Sequence, residues 1–128
     1  MPIEFSIHAA GEELKFEMRG ARDDAGYVQD MLAGWSQVAQ ICRDQGIRRV
    51  MGINALTGRA DQLGAFEIAR TVSQQFLGTG VRIALVVPGG ASALETNRFA
   101  ETVAVNRGAQ VRVFDGEAPA RQWLDAQA

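Results

Sequence analysis

Residues 78–87 read GTGVRIALVV. Successive side chains of a strand point to opposite faces of the sheet. Val81, Ile83, Leu85 and Val87 therefore share one side, and Arg82, Ala84 and Val86 share the other. The first side is wholly apolar and the second is mixed. A strand buried on both faces would read as an almost unbroken apolar run. The alternation predicts a sheet with its helices mainly on one face. Gly78 and Gly80 follow a helical stretch, and glycine takes up the left-handed conformation that ends a helix. The same succession of helix, glycine and strand recurs in DQGIRRVMGI (44–53) and NRGAQVRVFD (106–115). In the latter, Val111 and Val113 oppose Arg112 and Phe114.

Helical spacing fills the intervals. Val28, Met31, Leu32, Trp35, Val38, Ala39 and Cys42 recur at three- and four-residue steps, with Asp23 or Asp24 as N-cap and Gly46 past the end. A second helix starts near Asp61 and turns Leu63, Phe66, Ala69, Val72 and Phe76 inward. A third spans about Ser92 to Arg107, with Leu94, Phe99 and Val103 as its apolar contacts. A short last helix has Pro119 in its first turn and carries Trp123 and Leu124. Before all of these, Ile3, Phe5 and Ile7 alternate with Glu4, Ser6 and His8. After a turn at 9–11, Leu14, Phe16 and Met18 alternate with Lys15, Glu17 and Arg19, the pattern of a β-hairpin.

The order is ββαβαβαβα. Strands that alternate with helices pair in parallel through right-handed crossovers. If the crossover helices share a face, the parallel strands must follow one another in sequence order. The expected fold is one α/β domain over residues 1–128, a mixed five-stranded sheet in sequential order with helices mainly on one face. Its second face, carrying Gly52, Arg82, Val86, Arg112 and Phe114, is then partly wet or covered by a partner.

Composition narrows the function classes. The chain has 128 residues, 47% apolar and 22% charged, with a net charge of −2. That balance offers no broad attraction to nucleic acid. The longest apolar run, Ile83–Pro88, is far short of the ~20 residues of a membrane helix. The first residues lack the basic and apolar regions of a signal peptide. With Cys42 as the only cysteine, no intrachain disulfide can form. The expectation is a cytoplasmic protein without nucleic-acid partner or membrane insertion. One Cys and one His cannot build a zinc site, so neither metal nor cofactor is expected.

Two loops invite a ligand. Pro88-Gly89-Gly90 joins a strand to a helix but lacks the spaced glycines and Lys-Ser/Thr of a phosphate loop. It reads as a turn in which Ser92 caps the helix with Glu95 in a capping box. Gly89, Gly90 and Ser92 remain only a weak anion-site candidate. The loop Asn54-Ala55-Leu56-Thr57-Gly58-Arg59-Ala60-Asp61 is the better one. It leaves the carboxyl end of a parallel strand, where open α/β sheets place ligands. Asn54, Thr57, Gly58, Arg59 and Asp61 bring amide, hydroxyl, guanidinium and carboxylate groups; the structural alternative is a turn with Asp61 as helix cap. His8 reads as a strand-end residue, Cys42 as a small core hydrophobe, and Arg98 as the ion-pair partner of Glu95 or Glu101.

The second half resembles the small bacterial SpoIIAA-like, or STAS-like, proteins related to anti-sigma factor antagonists, whose fold is similar to the CRAL-TRIO fold. The likeness is carried by Arg98-Phe99, Glu101, Asn106-Arg107-Gly108, Val111-Val113-Phe114 and Trp123-Leu124, and by NALTGRADQLGAFEIA (54–69). It implies a β–α superhelix with sequential strands. In sporulation-type antagonists a serine at the start of the second helix is phosphorylated. Asp61 stands about where that serine would be, and no serine lies between Met51 and Val72. The resemblance thus implies a module without the serine phospho-switch.

No set of nucleophile, base and orienting group emerges, so a catalytic site at Asp61 and Arg59 is the least supported reading. The leading expectation is a non-catalytic interaction or regulatory module. Its partner, another protein or a second copy in a homodimer, would meet the 54–61 loop and the patch of Arg82, Arg112 and Phe114 on the second sheet face. The alternative is a small-ligand or lipid sensor using that second face as its floor.

Overall fold

The computed structural model describes residues 2–59, 61–88 and 91–126, without the side chains at 91–93 and 96. Two strands open the chain, β1 (Glu4–Ala10) and β2 (Glu13–Ala21), followed by α1 (Tyr27–Gln45), β3 (Arg49–Thr57) and α2 (Gln62–Phe76). The rest is β4 (Arg82–Val86), α3 (Ala91–Asn106), β5 (Gln110–Phe114) and α4 (Glu117–Asp125). The five strands lie in the order β1-β2-β3-β4-β5. β1 runs antiparallel to β2, and all later pairs are parallel. The predicted α/β fold, a mixed sheet with sequential strands, is the one observed.

The register separates the two faces. Phe16 lies opposite Gly52, and Gly52 opposite Leu85. Leu14, Phe16, Met18, Val50, Ile83 and Val111 are buried with Met31, Trp35 and Val38 of α1 and Ile68, Val72 and Phe76 of α2. Fully burying one such side chain is worth roughly 1.5–3 kcal/mol. Four rings bind this layer: Phe16 stacks on Phe5 at 5.5 Å, and Trp35 meets Phe16 edge-on at 5.0 Å and Phe76 at 6.1 Å. Gly52 is therefore on this face and not on the second one as the sequence suggested. No side chain fits there, because Phe16 occupies the space.

The second face belongs to α4. Ala120 and Leu124 are buried against Met51, Ala84 and Val86, with Ile53, Phe114 and Trp123 around them. The face expected to be partly wet or covered by a partner is thus covered over much of β3–β5 by the chain's own last helix, with Arg112 left exposed. Towards β1 this face is polar, with Glu4, Ser6 and His8 exposed, and among the described residues α4 reaches β2 only through the charged contacts of Glu13 and Lys15.

Some local expectations shift. Gly26, without a side-chain cap, begins α1, while Asp24 turns back to accept from the Gly26 N–H at 3.1 Å. Leu63 and Phe99 face solvent, because α2 buries Gly64, Ile68 and Ala69 instead and α3 buries Val103 and Ala104. Among the described residues no helix is long and apolar enough to cross a membrane.

Candidate functional site

The carboxyl ends of β2, β3 and β4 converge on one rim. Arg22 follows the last residue of β2, and its backbone N–H extends the ladder to the Thr57 carbonyl at 2.8 Å. Its side chain then crosses the end of β3. Nη1 donates to the carbonyls of Leu56 at 3.2 Å and Gly58 at 3.0 Å, and Nη2 donates to Asn54 Oδ1 at 3.3 Å. None of these acceptors carries a charge, although Arg22 is only 9% exposed. A buried guanidinium is tolerated only with its donors satisfied.

Asn54 is the hub. It sits on the helix-facing side of β3, where the alternation calls for an apolar residue, and is 6% exposed. Its Oδ1 also accepts from the Leu56 N–H at 3.1 Å, and its Nδ2 donates to Asn97 Oδ1 at 2.9 Å. A polar chain, Arg22–Asn54–Asn97, thus runs from the β2 end through β3 to α3. Tyr27, at the start of α1, lies beside it. Burial pushes its hydroxyl pKa up, partly opposed by the Arg22 charge and hydrogen bond. The phenol stays a donor across the physiological range.

Below this chain is a cavity of about 80 Å³ between the sheet and α1–α3. Met18, Met31, Trp35, Ile68, Val72 and Val111 form apolar walls, and Arg22, Tyr27, Asn54, Asn97 and Glu101 form its polar side. Outside it lies a groove of about 280 Å³ lined by Arg22, Asp23, Asp24, Tyr27, Arg59 and Asp61. Arg22 and Tyr27 border both spaces. The arrangement offers donors at the mouth of an apolar pocket, and a rim with charges of both signs.

The structure divides the eight residues nominated from the sequence. Asn54, Thr57, Gly58, Arg59 and Asp61 gather on this rim. Thr57 Oγ1 donates to the Gly20 carbonyl at 3.3 Å, tying β3 to β2. Gly58 is left-handed, with φ of 74°, and presents its carbonyl to Arg22. Asp61 is the N-cap of α2, its Oδ1 accepting from the Gly64 N–H at 2.7 Å. Arg59 lines the outer groove.

Arg82, Arg112 and Phe114 lie on the opposite face, away from this site. Arg82 Nη1 donates to the Trp123 carbonyl at 3.1 Å, and its guanidinium sits 3.9 Å over the Trp123 ring. Phe114 contacts the same ring at 5.8 Å, and the Arg112 guanidinium lies 5.7 Å from Phe114. Arg82 and Phe114 seat Trp123 of α4 and are not a free docking surface, while Arg112 stays exposed beside Phe114. This seating also removes the floor expected for a lipid.

The glycines of the 88–90 loop, Gly89 and Gly90, lie outside the described residues, as does the side chain of Ser92. Glu101 does not pair with Arg98 but accepts from the Val113 N–H at 2.5 Å. His8 is exposed on β1 opposite Lys15. Cys42 is buried in the core, where desolvation raises its thiol pKa to about 11 despite Arg43 nearby. Among the described residues, no three His, Cys, Asp or Glu side chains are grouped to hold a metal.

Sequence reasoning passed over Arg22, Tyr27, Asn97 and Leu63. The available signal was Asn54: an amide on the buried side of a strand demands polar partners. No family model and no curated protein matches the chain.

Proposed function

We propose that this protein is a non-catalytic, STAS-like regulatory module that docks a protein partner on the rim formed by the β3–α2 loop and the first turn of α2, without a serine phospho-switch. The observation that carries the reading is Leu63. It is 76% exposed in the first turn of α2 although the helical period would turn it inward. Asp61 caps that turn, so the side chain stands on a rigid element. Arg59, Asp23 and Asp24 lie in the adjoining groove. An apolar anchor beside mixed charges is the composition of a small interface core with a polar rim.

Capture from the native cell tests this. The chain carrying Leu63→Glu should lose the captured partner by roughly tenfold or more, while Arg112→Glu on the opposite face should retain it. Equal capture by both variants would overturn the reading.

The cavity favours a second reading, a sensor of a small amphipathic ligand with its apolar end inside and a hydrogen-bond acceptor at Arg22 and Tyr27. Native mass spectrometry should then show a retained mass that Ala69→Leu, which fills the pocket, removes. An unliganded spectrum from gently purified protein counts against it.

A further inference from the structure

The two edges of the sheet are treated differently. At β5 the outward Val113 N–H is taken by Glu101 of α3. A carboxylate placed there stops another strand from adding to that edge. Among the described residues, no side chain plugs β1, the other edge, along its length. It spans seven residues, pairs with β2 in continuous register and contains no proline, lysine or bulge. Those are among the devices by which proteins ordinarily blunt an edge, and the acid β1 does carry is Glu4 at its first residue.

The register shows which groups of β1 face outward. Ala10 pairs with Glu13 across the two-residue turn Gly11-Glu12, in which Gly11 has φ of 62°. Residues flanking a two-residue hairpin loop form a hydrogen-bonded pair, and such pairs alternate along the ladder. Glu4, Ser6, His8 and Ala10 therefore bond to β2, and Phe5, Ile7 and Ala9 point their N–H and C=O groups outward. Ile3, of the same parity, agrees: its N–H goes to Asp30 of α1 at 3.1 Å.

We propose that β1 is a homodimer interface, on which a second copy of this chain adds its own β1 antiparallel, with the two-fold axis at Ser6. In that register Phe5 and Ile7 of one copy exchange both hydrogen bonds with Ile7 and Phe5 of the other, four in all. Glu4 then lies opposite His8 of the second copy, twice, a carboxylate facing an imidazole N–H. Shifting the axis to Phe5 or Ile7 breaks both pairs. The flanking β2 residues fit the same row: Arg19 lies opposite Glu4, Glu17 opposite Ser6 and Lys15 opposite His8. Lys15 is itself paired with Glu117, and Arg19 with Glu17. Each row across the dimer then reads Arg19, Glu4, His8, Lys15, with the acid between basic groups. The result is one ten-stranded sheet. This interface lies at a different edge from the α2 rim and stands or falls independently of it.

Light scattering over a concentration series, up to the order of 1 mM at the weak end of specific association, should give twice the 13.8 kDa chain mass. Glu4→Lys puts like charges side by side in both rows and should weaken the dimer about tenfold. Adding His8→Glu to Glu4→Lys restores opposite signs and should restore the dimer. Amide exchange on the native chain needs no variant to fold: the Phe5 and Ile7 amides should become protected as concentration rises. A monomer throughout the series, a dimer indifferent to Glu4→Lys, or Phe5 and Ile7 amides that exchange equally fast at every concentration would overturn the proposal.

Discussion

Asn54 and Gly52 sit two residues apart on the same side of β3, and both break the apolar alternation for local reasons. Asn54 is kept because three neighbours satisfy it: the Arg22 guanidinium, the Leu56 N–H and the Asn97 amide. Gly52 is kept because Phe16 lies over it. An added Cβ would overlap Phe16 Cζ and come within 2.8 Å of Cε1. Phe16 cannot easily retreat, since it is wedged between Phe5 and Trp35. Replacing glycine by alanine also restricts the unfolded chain, which by itself would stabilise by about 0.4–1 kcal/mol. Overpacking of a dense core costs more, typically about 1–3 kcal/mol. Gly52→Ala should therefore lower the denaturant midpoint, and Phe16→Leu in the same chain should recover part of the loss. A neutral Gly52→Ala would mean that the aromatic layer is looser than its geometry indicates.

At the scale of elements, the strands and helices are legible because of their periods, and α1, α2 and α3 because a glycine also follows each within two residues. Gly46 and Gly108 are left-handed just past α1 and α3, as the helix–glycine–strand pattern requires. The caps were less legible. Asp23, Asp24 and Gly26 crowd into one turn, and any could have begun α1; hydrogen bonding chose Gly26, with Asp24 satisfying its N–H. Leu63 was misplaced because a helix of 15 residues has more apolar side chains than its buried stripe needs. The site was half legible. The loop residues are contiguous and polar, so Asn54 to Asp61 stand out. Arg22, Tyr27 and Asn97 come from three other segments, and nothing local distinguishes them from solvated residues. The mixed face of β4 and β5 reads as partly wet or covered by a partner; the cover is the chain's own α4, and periodicity cannot tell such a helix from another chain.

For the whole molecule, that cover is held by charge as well as by Leu124. Arg121 of α4 makes a two-point contact with Glu13 of β2, Nη2 to Oε2 at 2.8 Å and Nη1 to Oε1. Lys15 pairs with Glu117 at 3.3 Å, and Arg49 pairs with Asp125. These contacts join the last helix to β3 across 76 residues of chain and to β2 across 102 and 108. The hydrogen bond from Arg121, aided by the charges of Arg121, Arg49 and Lys15, holds the Glu13 carboxyl below its ordinary value of 4.5 against the opposing effect of burial. A carboxylate whose pKa is lower in the folded state binds fewer protons there than in the unfolded chain. Its stabilisation is complete above the unfolded value and is lost as pH falls through the folded one. The pair is partly exposed, so its worth is up to about 1 kcal/mol. Glu13→Gln should therefore be less stable than the native chain at neutral pH, measured by urea unfolding. The gap should close as the pH is taken well below 4.5, where the native Glu13 is protonated as well. A gap that stayed constant with pH would assign the loss to packing at β2 and not to the charge that secures α4 over the sheet.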